Sequence, residues 1–202
     1  SAASDVYKRQ AQERGVGGSV SDFAVETNIE DALTKADPKL AGGVTVTVYQ
    51  GRVLLTGHAA SPEMKQTAAD IARRIGGVRA LYDEIEVAPS EGAWDTAQDA
   101  WITARLRSQL VLDPAVRSGN YTIDTTNRSV YLIGSARSRA ELDRATQIAR
   151  YVPGVKRVVS YIEIRPGSPV AARPGPGPAR PASVGREAPA AAPQAPIEVQ
   201  KL

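Results

Sequence analysis

The hydrophobic positions between Trp101 and Leu112 repeat with the period of an α-helix. One apolar stripe recurs every four residues, as on the core face of an amphipathic helix, and consists of Ile102, Leu106 and Leu110. A second strip lies roughly 130° away around the helix axis and consists of Trp101, Arg105, Ser108 and Leu112. A core face explains the first stripe alone. Two large apolar side chains beside an arginine on the second strip predict a surface that meets something apolar and anionic.

This pattern occurs twice in the chain, at an offset of 77 residues over most of its length. Matching positions in the two copies include Ile29 and Leu106, Gly57 and Gly134, and Ser61 and Ser138. Two copies of this length indicate a duplicated small domain, because a solenoid needs at least three shorter repeats.

Each copy predicts the element order helix, strand, strand, helix, strand. Residues 44–48 alternate between valine and threonine, which indicates a strand with one buried face, and Gln50-Gly51 is a hairpin turn. Ser61 followed by Pro62 is typical of a helix start, and Ser138 with Glu141 has the spacing of a capping box. We therefore expect an α+β fold of two αββαβ domains, each a three-stranded mixed sheet with two helices on one face.

The predicted boundaries follow the repeat and the composition. They are an unstructured N-terminal segment at 1–19, a first domain at 20–88, a linker at 89–99, a second domain at 100–165 and a tail at 166–202. Nine of the fourteen prolines lie in the tail, which is otherwise rich in alanine and glycine and is predicted to be disordered. Residues 5–10 match a translated library adapter, so we expect the native N-terminus and any targeting segment to precede this sequence.

Charge distinguishes the two copies, although the whole chain carries only +3. Residues 20–88 contain seven Lys and Arg against ten Asp and Glu, whereas residues 94–165 contain eleven against seven. This asymmetry points to a separate role for the second copy. The basic residues are interleaved with acidic ones and line no aromatic groove, which disfavours nucleic acid as a partner.

The sequence offers little for catalysis. His58 is the single histidine and there is no cysteine, so neither a metal site nor a nucleophile with its base is predicted. Asp83, Glu84 and Glu86 lie on one strand, where neighbours point to opposite faces and do not converge for acid–base work. We expect a non-enzymatic protein without a metal or other cofactor.

Several motifs together resemble a known family, the BON domain. They are Gly-Arg-Val-Leu-Leu-Thr-Gly at 51–57, Ser-Val-Tyr-Leu-Ile-Gly at 129–134 and Pro-Gly-Val-Lys-Arg-Val-Val at 153–159. The doubled arrangement is similar to the dual-BON outer-membrane lipoproteins and osmotically induced periplasmic proteins of Gram-negative bacteria. The lipidated cysteine that such lipoproteins carry near the N-terminus has no counterpart here.

The resemblance implies an envelope-maintenance protein in the periplasm, attached to the inner leaflet of the outer membrane, that binds anionic phospholipid. In the dual-BON lipoproteins the first helix of the second copy contacts lipid, and the matching residues here are Trp101, Ile102, Arg105, Arg107 and Leu112. An alternative is a soluble periplasmic stress-response protein or adaptor that uses the same helix to bind another envelope protein. Trp101 could also be buried beneath the linker or the first copy, which would leave it no role in binding.

Overall fold

The computed structural model describes residues 20–88, 96–166 and 197–200. The first two ranges each hold an αββαβ unit, so the predicted α+β class with a duplicated domain is confirmed. The N-terminal segment, most of the linker and most of the tail lie outside the described residues. Among the helices of the described ranges, none has both the length and the apolar character needed to cross a bilayer.

Copy 1 contains three helices and four strands. They are α1 (Asp22–Ala36), α2 (Pro38–Gly43), β1 (Val44–Tyr49), β2 (Arg52–Ala59), α3 (Pro62–Arg73), β3 (Ala80–Asp83) and β4 (Glu86–Val87). Strand β1 pairs antiparallel with β2, and β2 pairs in parallel with both β3 and β4. The predicted third strand therefore exists but is interrupted at residues 84 and 85, where the Asp83 carboxylate accepts a hydrogen bond from Ile85 N.

Helix α2 was not predicted. Asp37 ends α1 and at once caps α2, because its carboxylate accepts hydrogen bonds from Lys39 N (2.8 Å) and Leu40 N (3.4 Å). Pro38 fits the first turn of a helix, because an N–H group at that position would have no acceptor within the helix. The same Asp-Pro pair thus stops one helix and starts the next.

Copy 2 repeats the arrangement with α4 (Thr96–Leu112), β5 (Tyr121–Thr126), β6 (Ser129–Ala136), α5 (Arg139–Tyr151) and β7 (Arg157–Ile164). A short 3-10 turn at Ser118–Asn120 stands where copy 1 has α2. Helix α4 begins at Thr96, inside the predicted linker, which is therefore shorter than expected. Its Asp99 matches Asp22 of α1, so the whole first helix is repeated.

The register of the sheet is the same in both copies. Strand β2 residues pair with residues 28 positions later, as in Arg52 with Ala80, and β6 residues do the same, as in Ser129 with Arg157. Copy 2 also gains a fourth strand, β8 (Ile197–Gln200), which pairs antiparallel with β7. This strand comes from the segment predicted to be a disordered tail, and the sequence analysis did not foresee it.

Each copy has its own core on one face of its sheet. In copy 1 the core contains Val25, Ile29 and Leu33 of α1, Ala68 and Ala72 of α3, and alternate residues of β1 and β2. In copy 2 it contains Ile102, Leu106 and Leu110 of α4, Leu142, Ala145 and Ala149 of α5, and alternate residues of β6 and β7. The two long helices of each copy therefore pack on the same face of its sheet, as expected.

The hairpin turns are tied to the first helix in both copies. Gln50 and Gly51, like Asn127 and Arg128, have positive φ angles at both central turn positions, as a two-residue hairpin loop requires. Asp22 accepts hydrogen bonds from Gln50 N (2.5 Å) and Gly51 N (2.8 Å), and Asp99 accepts one from Asn127 N (2.7 Å). A first-turn aspartate therefore fixes the hairpin against the helix in each copy.

The glycine signatures mark a close backbone approach. Gly57 has φ +101°, and a Cβ there would collide with the carbonyl oxygen of Gly43. Gly134 has φ +153°, and a Cβ there would collide with the carbonyl oxygen of Asn120. Both positions therefore exclude any side chain, for one structural reason that the two copies share.

Candidate functional site

The candidate site is the solvent-exposed side of α4, called here the outer face. Its members are Trp101, Arg105, Arg107, Ser108, Val111 and Leu112, all exposed. Trp101 is 49%, Val111 63% and Leu112 80% exposed, values that are high for large apolar side chains. Trp101 therefore lies outside the core of copy 2.

The two arginines of the outer face are exposed cations. Within the described ranges, neither Arg105 nor Arg107 forms an ion pair with a carboxylate, although other arginines of copy 2 do. An exposed guanidinium without a carboxylate partner keeps its charge available to an anion outside the protein. The outer face thus combines apolar area with unneutralised positive charge.

The structure corrects one member of the predicted contact set. Ile102 is 0% exposed and belongs to the core of copy 2. It follows Trp101 by one position, which is 100° around the helix, so the two side chains point in different directions. Ile102 holds α4 against its sheet and cannot reach a ligand while the domain is folded.

A cleft lies between the C-terminal end of α4 and the outer side of α5. It has a volume of about 430 Å³ and is lined by Gln109, Leu112, Asp113, Pro114, Arg144, Gln147, Ile148 and Tyr151. Leu112 and Tyr151 are large, exposed apolar residues of this lining, and Tyr151 is 74% exposed. Arg144 Nε donates to Asp113 at 2.8 Å, so an ion pair joins the residue after α4 to the middle of α5. That hydrogen bond, followed by one from Ala115 N, lowers the pKa of Asp113.

Near this cleft, Glu141 at the start of α5 holds the loop that follows α4. It is buried and accepts hydrogen bonds from Arg117 N (2.9 Å), Arg137 N (3.2 Å), Arg137 Nε (2.7 Å) and the Tyr121 hydroxyl (3.2 Å). Burial alone would raise its pKa, but the bonds from Arg117 and Arg137 prevail and lower the pKa of Glu141. Burial, and then the charge of Glu141, raises the pKa of Tyr121.

The predicted capping box is present in altered form. Ser138 accepts a hydrogen bond from Glu141 N at 3.2 Å, as a cap should. The Glu141 carboxylate, however, binds the N–H of Arg137, one residue earlier than a capping box places it. The extra reach lets the same carboxylate hold the loop that follows α4.

Copy 1 provides an internal comparison, because its matching surface differs. The positions that correspond to Trp101, Arg105, Arg107, Val111 and Leu112 are Ala24, Asn28, Glu30, Thr34 and Lys35. Copy 1 does expose one aromatic residue on α1, Phe23, at 76%. Glu26 and Glu30 stand on the same side of that helix. Burial, and then the charges of Glu30 and Asp22, raises the pKa of Glu26, which marks a locally acidic surface.

Two exposed residues escaped the sequence analysis. When α4 is viewed along its axis, Val111 projects at an angle between those of Arg107 and Ser108. The sequence analysis assigned it to neither stripe. Tyr151 lies on α5, at the position that Arg74 occupies in copy 1. Comparing the two copies at that position would have singled it out as a change from charged to aromatic.

The residues considered for catalysis or metal binding in the sequence analysis are His58 and the acidic residues Asp83, Glu84 and Glu86. His58 lies on β2, one residue before that strand ends. In the described part of the chain, no group of three His, Cys, Asp or Glu side chains is placed to hold a metal ion.

Comparison with known proteins identifies relatives over most of the chain. The family model of the BON domain matches residues 21–89 and again residues 98–166. The outer membrane lipoprotein DolP of Haemophilus influenzae is 31% identical over 151 residues, which cover 74% of this chain and 78% of that protein. The 21 kDa hemolysin of Actinobacillus pleuropneumoniae is 32% identical over 157 residues, covering 77% and 80%. The osmotically-inducible protein Y of Escherichia coli K12 is 30% identical over 152 residues, covering 74% and 76%.

Proposed function

Since this chain belongs to the BON-domain family and is an envelope protein of the periplasm, associated with the outer membrane, we propose that its second copy binds anionic phospholipid. The binding surface is the outer face of α4. Trp101 and Leu112 supply the main apolar contacts, and Arg105 and Arg107 supply the positive charge. The role is that of a non-enzymatic module that helps to keep the envelope intact.

The observation that carries this proposal is the exposed Trp101 with Arg105 one turn later on the same side of α4 and Arg107 exposed farther around the helix. Within the described residues, neither arginine forms an ion pair. An indole is energetically suited to the headgroup level of a bilayer, because its ring is apolar and its N–H stays hydrated. A guanidinium near an anionic leaflet contributes about 1 kcal/mol, so the two arginines together give only modest attraction. Val111 and Leu112 add apolar area on the same side of the helix.

Such an interaction is weak and reversible by itself. One amphipathic surface with a few cations resembles a single anchoring signal, and stable attachment to a membrane takes two. We propose that the outer face orients the domain and selects an anionic surface, while a second signal or a partner in the envelope supplies residence time.

The test is co-sedimentation with vesicles of phosphatidylglycerol and phosphatidylethanolamine. The parent chain should bind, more strongly at low ionic strength, where the attraction is least screened. Trp101→Ala should weaken the apparent affinity by roughly tenfold, since about 1.4 kcal/mol of indole burial is lost. Phe23→Ala is the matched control, because it removes an exposed aromatic residue from the same helix of copy 1 and should leave binding unchanged.

Two results would count against phospholipid binding. If the parent chain stays in the supernatant even at low ionic strength, the outer face is better explained as an interface with another envelope protein. If Trp101→Ala and Phe23→Ala bind as the parent does, the vesicle contact lies elsewhere on the molecule.

A further inference from the structure

The cleft between α4 and α5 suggests that the lipid contact is not confined to one helix. Leu112 belongs to the outer face of α4, and it also lines the cleft opposite α5. The cleft volume of about 430 Å³ falls within the usual range of small-molecule sites, roughly 300–1,000 Å³. Tyr151, from the last turn of α5, is an exposed aromatic residue in its lining.

The repeat shows that the fold does not require this apolar lining. In copy 1 the position of Leu112 is taken by Lys35 and that of Tyr151 by Arg74. Ile71 corresponds to Ile148, so the residue deeper between the helices is the same in both copies. The two outer positions are cationic in copy 1 and apolar in copy 2. Only copy 2 therefore carries an apolar cleft mouth.

We propose that this cleft binds the upper part of the acyl chains of an anionic phospholipid at the membrane surface, with Tyr151 as a second aromatic contact besides Trp101. This inference rests on the proposed function. Leu112, Ile148 and Tyr151 provide the apolar contacts. The phenol can keep its hydroxyl at the hydrated level while its ring enters the apolar layer.

The charges around the cleft fit a negatively charged headgroup beside it. Asp113 is already paired with Arg144, so the lining presents no unneutralised carboxylate to the lipid. Arg105 lies one turn before Gln109, which lines the cleft, and its guanidinium is free within the described residues. A phosphate near Arg105 would leave the acyl chains of the same lipid close to the cleft mouth.

The absence of cysteine from the chain permits a direct test. Tyr151→Cys and Arg74→Cys, each labelled with the environment-sensitive dye bimane, place the same probe at matching positions of the two copies. On phosphatidylglycerol vesicles that contain lipids with a nitroxide on the upper acyl chain, the probe at 151 should be quenched and the probe at 74 should not. No quenching at 151, in a labelled protein that still sediments with vesicles, would overturn the proposal.

An unlabelled variant checks that the dye does not create the contact. Tyr151→Ser should weaken vesicle binding roughly three- to tenfold by removing a ring's worth of buried area. Serine is preferred to the arginine of copy 1, because an added positive charge would itself attract anionic vesicles. Circular dichroism should be unchanged, since Tyr151 is outside the core.

The outcomes separate this inference from the proposed function. If the parent chain does not bind vesicles, the proposed function fails and this inference fails with it. If Trp101→Ala weakens binding and Tyr151→Ser does not, only the cleft is excluded. Protection of the probe at 151 by monomeric short-chain phosphatidylglycerol, without quenching on vesicles, would replace a membrane contact by a soluble lipid site and so overturn the proposal.

Discussion

The two copies share a sheet register and a buried helical stripe, yet they show opposite surfaces to solvent. On α1 the exposed positions are polar and partly acidic, with Phe23 as the exception, whereas α4 exposes Trp101, Leu112 and two arginines that form no ion pair within the described residues. Burial constrains the inner side of a helix strongly and the outer side weakly. Duplication therefore gave one copy a surface that could change without cost to its core, and the altered surface is the place to look for function.

The largest expected effect tests the division between inner and outer sides of α4. Ile102→Ala should lower the free energy of unfolding by about 2–5 kcal/mol, because it opens a cavity in the core of copy 2. Trp101→Ala, one residue away, should change it by only about 0.5 kcal/mol. Urea denaturation followed by circular dichroism measures both.

For vesicle binding the order should be reversed, with Trp101→Ala having the larger effect and Ile102→Ala the smaller. Under conditions where Ile102→Ala remains folded, its affinity for anionic vesicles should equal that of the parent. A stable Ile102→Ala protein with weakened vesicle binding would instead restore Ile102 to the contact set.

A smaller effect distinguishes the copies by their response to acid. Glu141 in copy 2 corresponds to Met64 in copy 1, so only copy 2 holds its second helix through a buried carboxylate. Because folding lowers the pKa of Glu141 below its ordinary value of 4.5, its stabilising contribution is fully present above about pH 4.5. That contribution is lost as the pH falls through the lower pKa that Glu141 has in the folded protein.

Glu141→Met should therefore destabilise copy 2 at neutral pH by roughly 1–3 kcal/mol, since the N–H groups of Arg117 and Arg137 lose their acceptor. It should also remove the acid-dependent part of the stability. Glu141→Gln, which keeps the shape without the titration, is the control and should give an intermediate loss. Denaturation curves at pH 7 and pH 3.5 test this, and an unchanged pH dependence in Glu141→Met would contradict it.

The smallest expected effect is a gain of binding in the other copy. Ala24→Trp with Asn28→Arg and Glu30→Arg rebuilds part of the α4 outer face on α1. In a Trp101→Ala background, vesicle affinity should recover by a few-fold, equivalent to roughly 1 kcal/mol, since α1 still carries acidic neighbours that repel an anionic surface. The matched control places Trp alone at position 24. No recovery would mean that the binding surface needs features of copy 2 beyond its first helix, such as the cleft.

Periodicity predicted what local geometry controls. The stripe of Ile102, Leu106 and Leu110, the hairpin turn at Gln50 and the helix cap at Ser138 all follow from spacing and residue type, and the structure has them as expected. Helix α2 was missed because a proline after aspartate reads as a stop, although the same aspartate can cap a new helix.

Other features depended on distant parts of the chain. Strand β8 pairs with residues about forty positions earlier, across a proline-rich stretch, and no local pattern predicts such a partner. Val111 became recognisable once its exposure was known, and the place of Tyr151 in the cleft once the position of α5 relative to α4 was known. The core was therefore predictable from one stretch at a time, whereas the candidate site required the arrangement of two helices.

The last strand of each sheet has a consequence for self-association. An outermost strand with unpaired backbone groups can recruit a strand from another molecule. In copy 1 the outermost strand is broken between β3 and β4, which shortens the uninterrupted edge, and in copy 2 the short β8 pairs with the first half of β7, Arg157–Ser160. The two copies thus limit the exposed edge of the sheet in different ways. Copy 1 interrupts its outer strand, whereas copy 2 pairs part of its outer strand with β8.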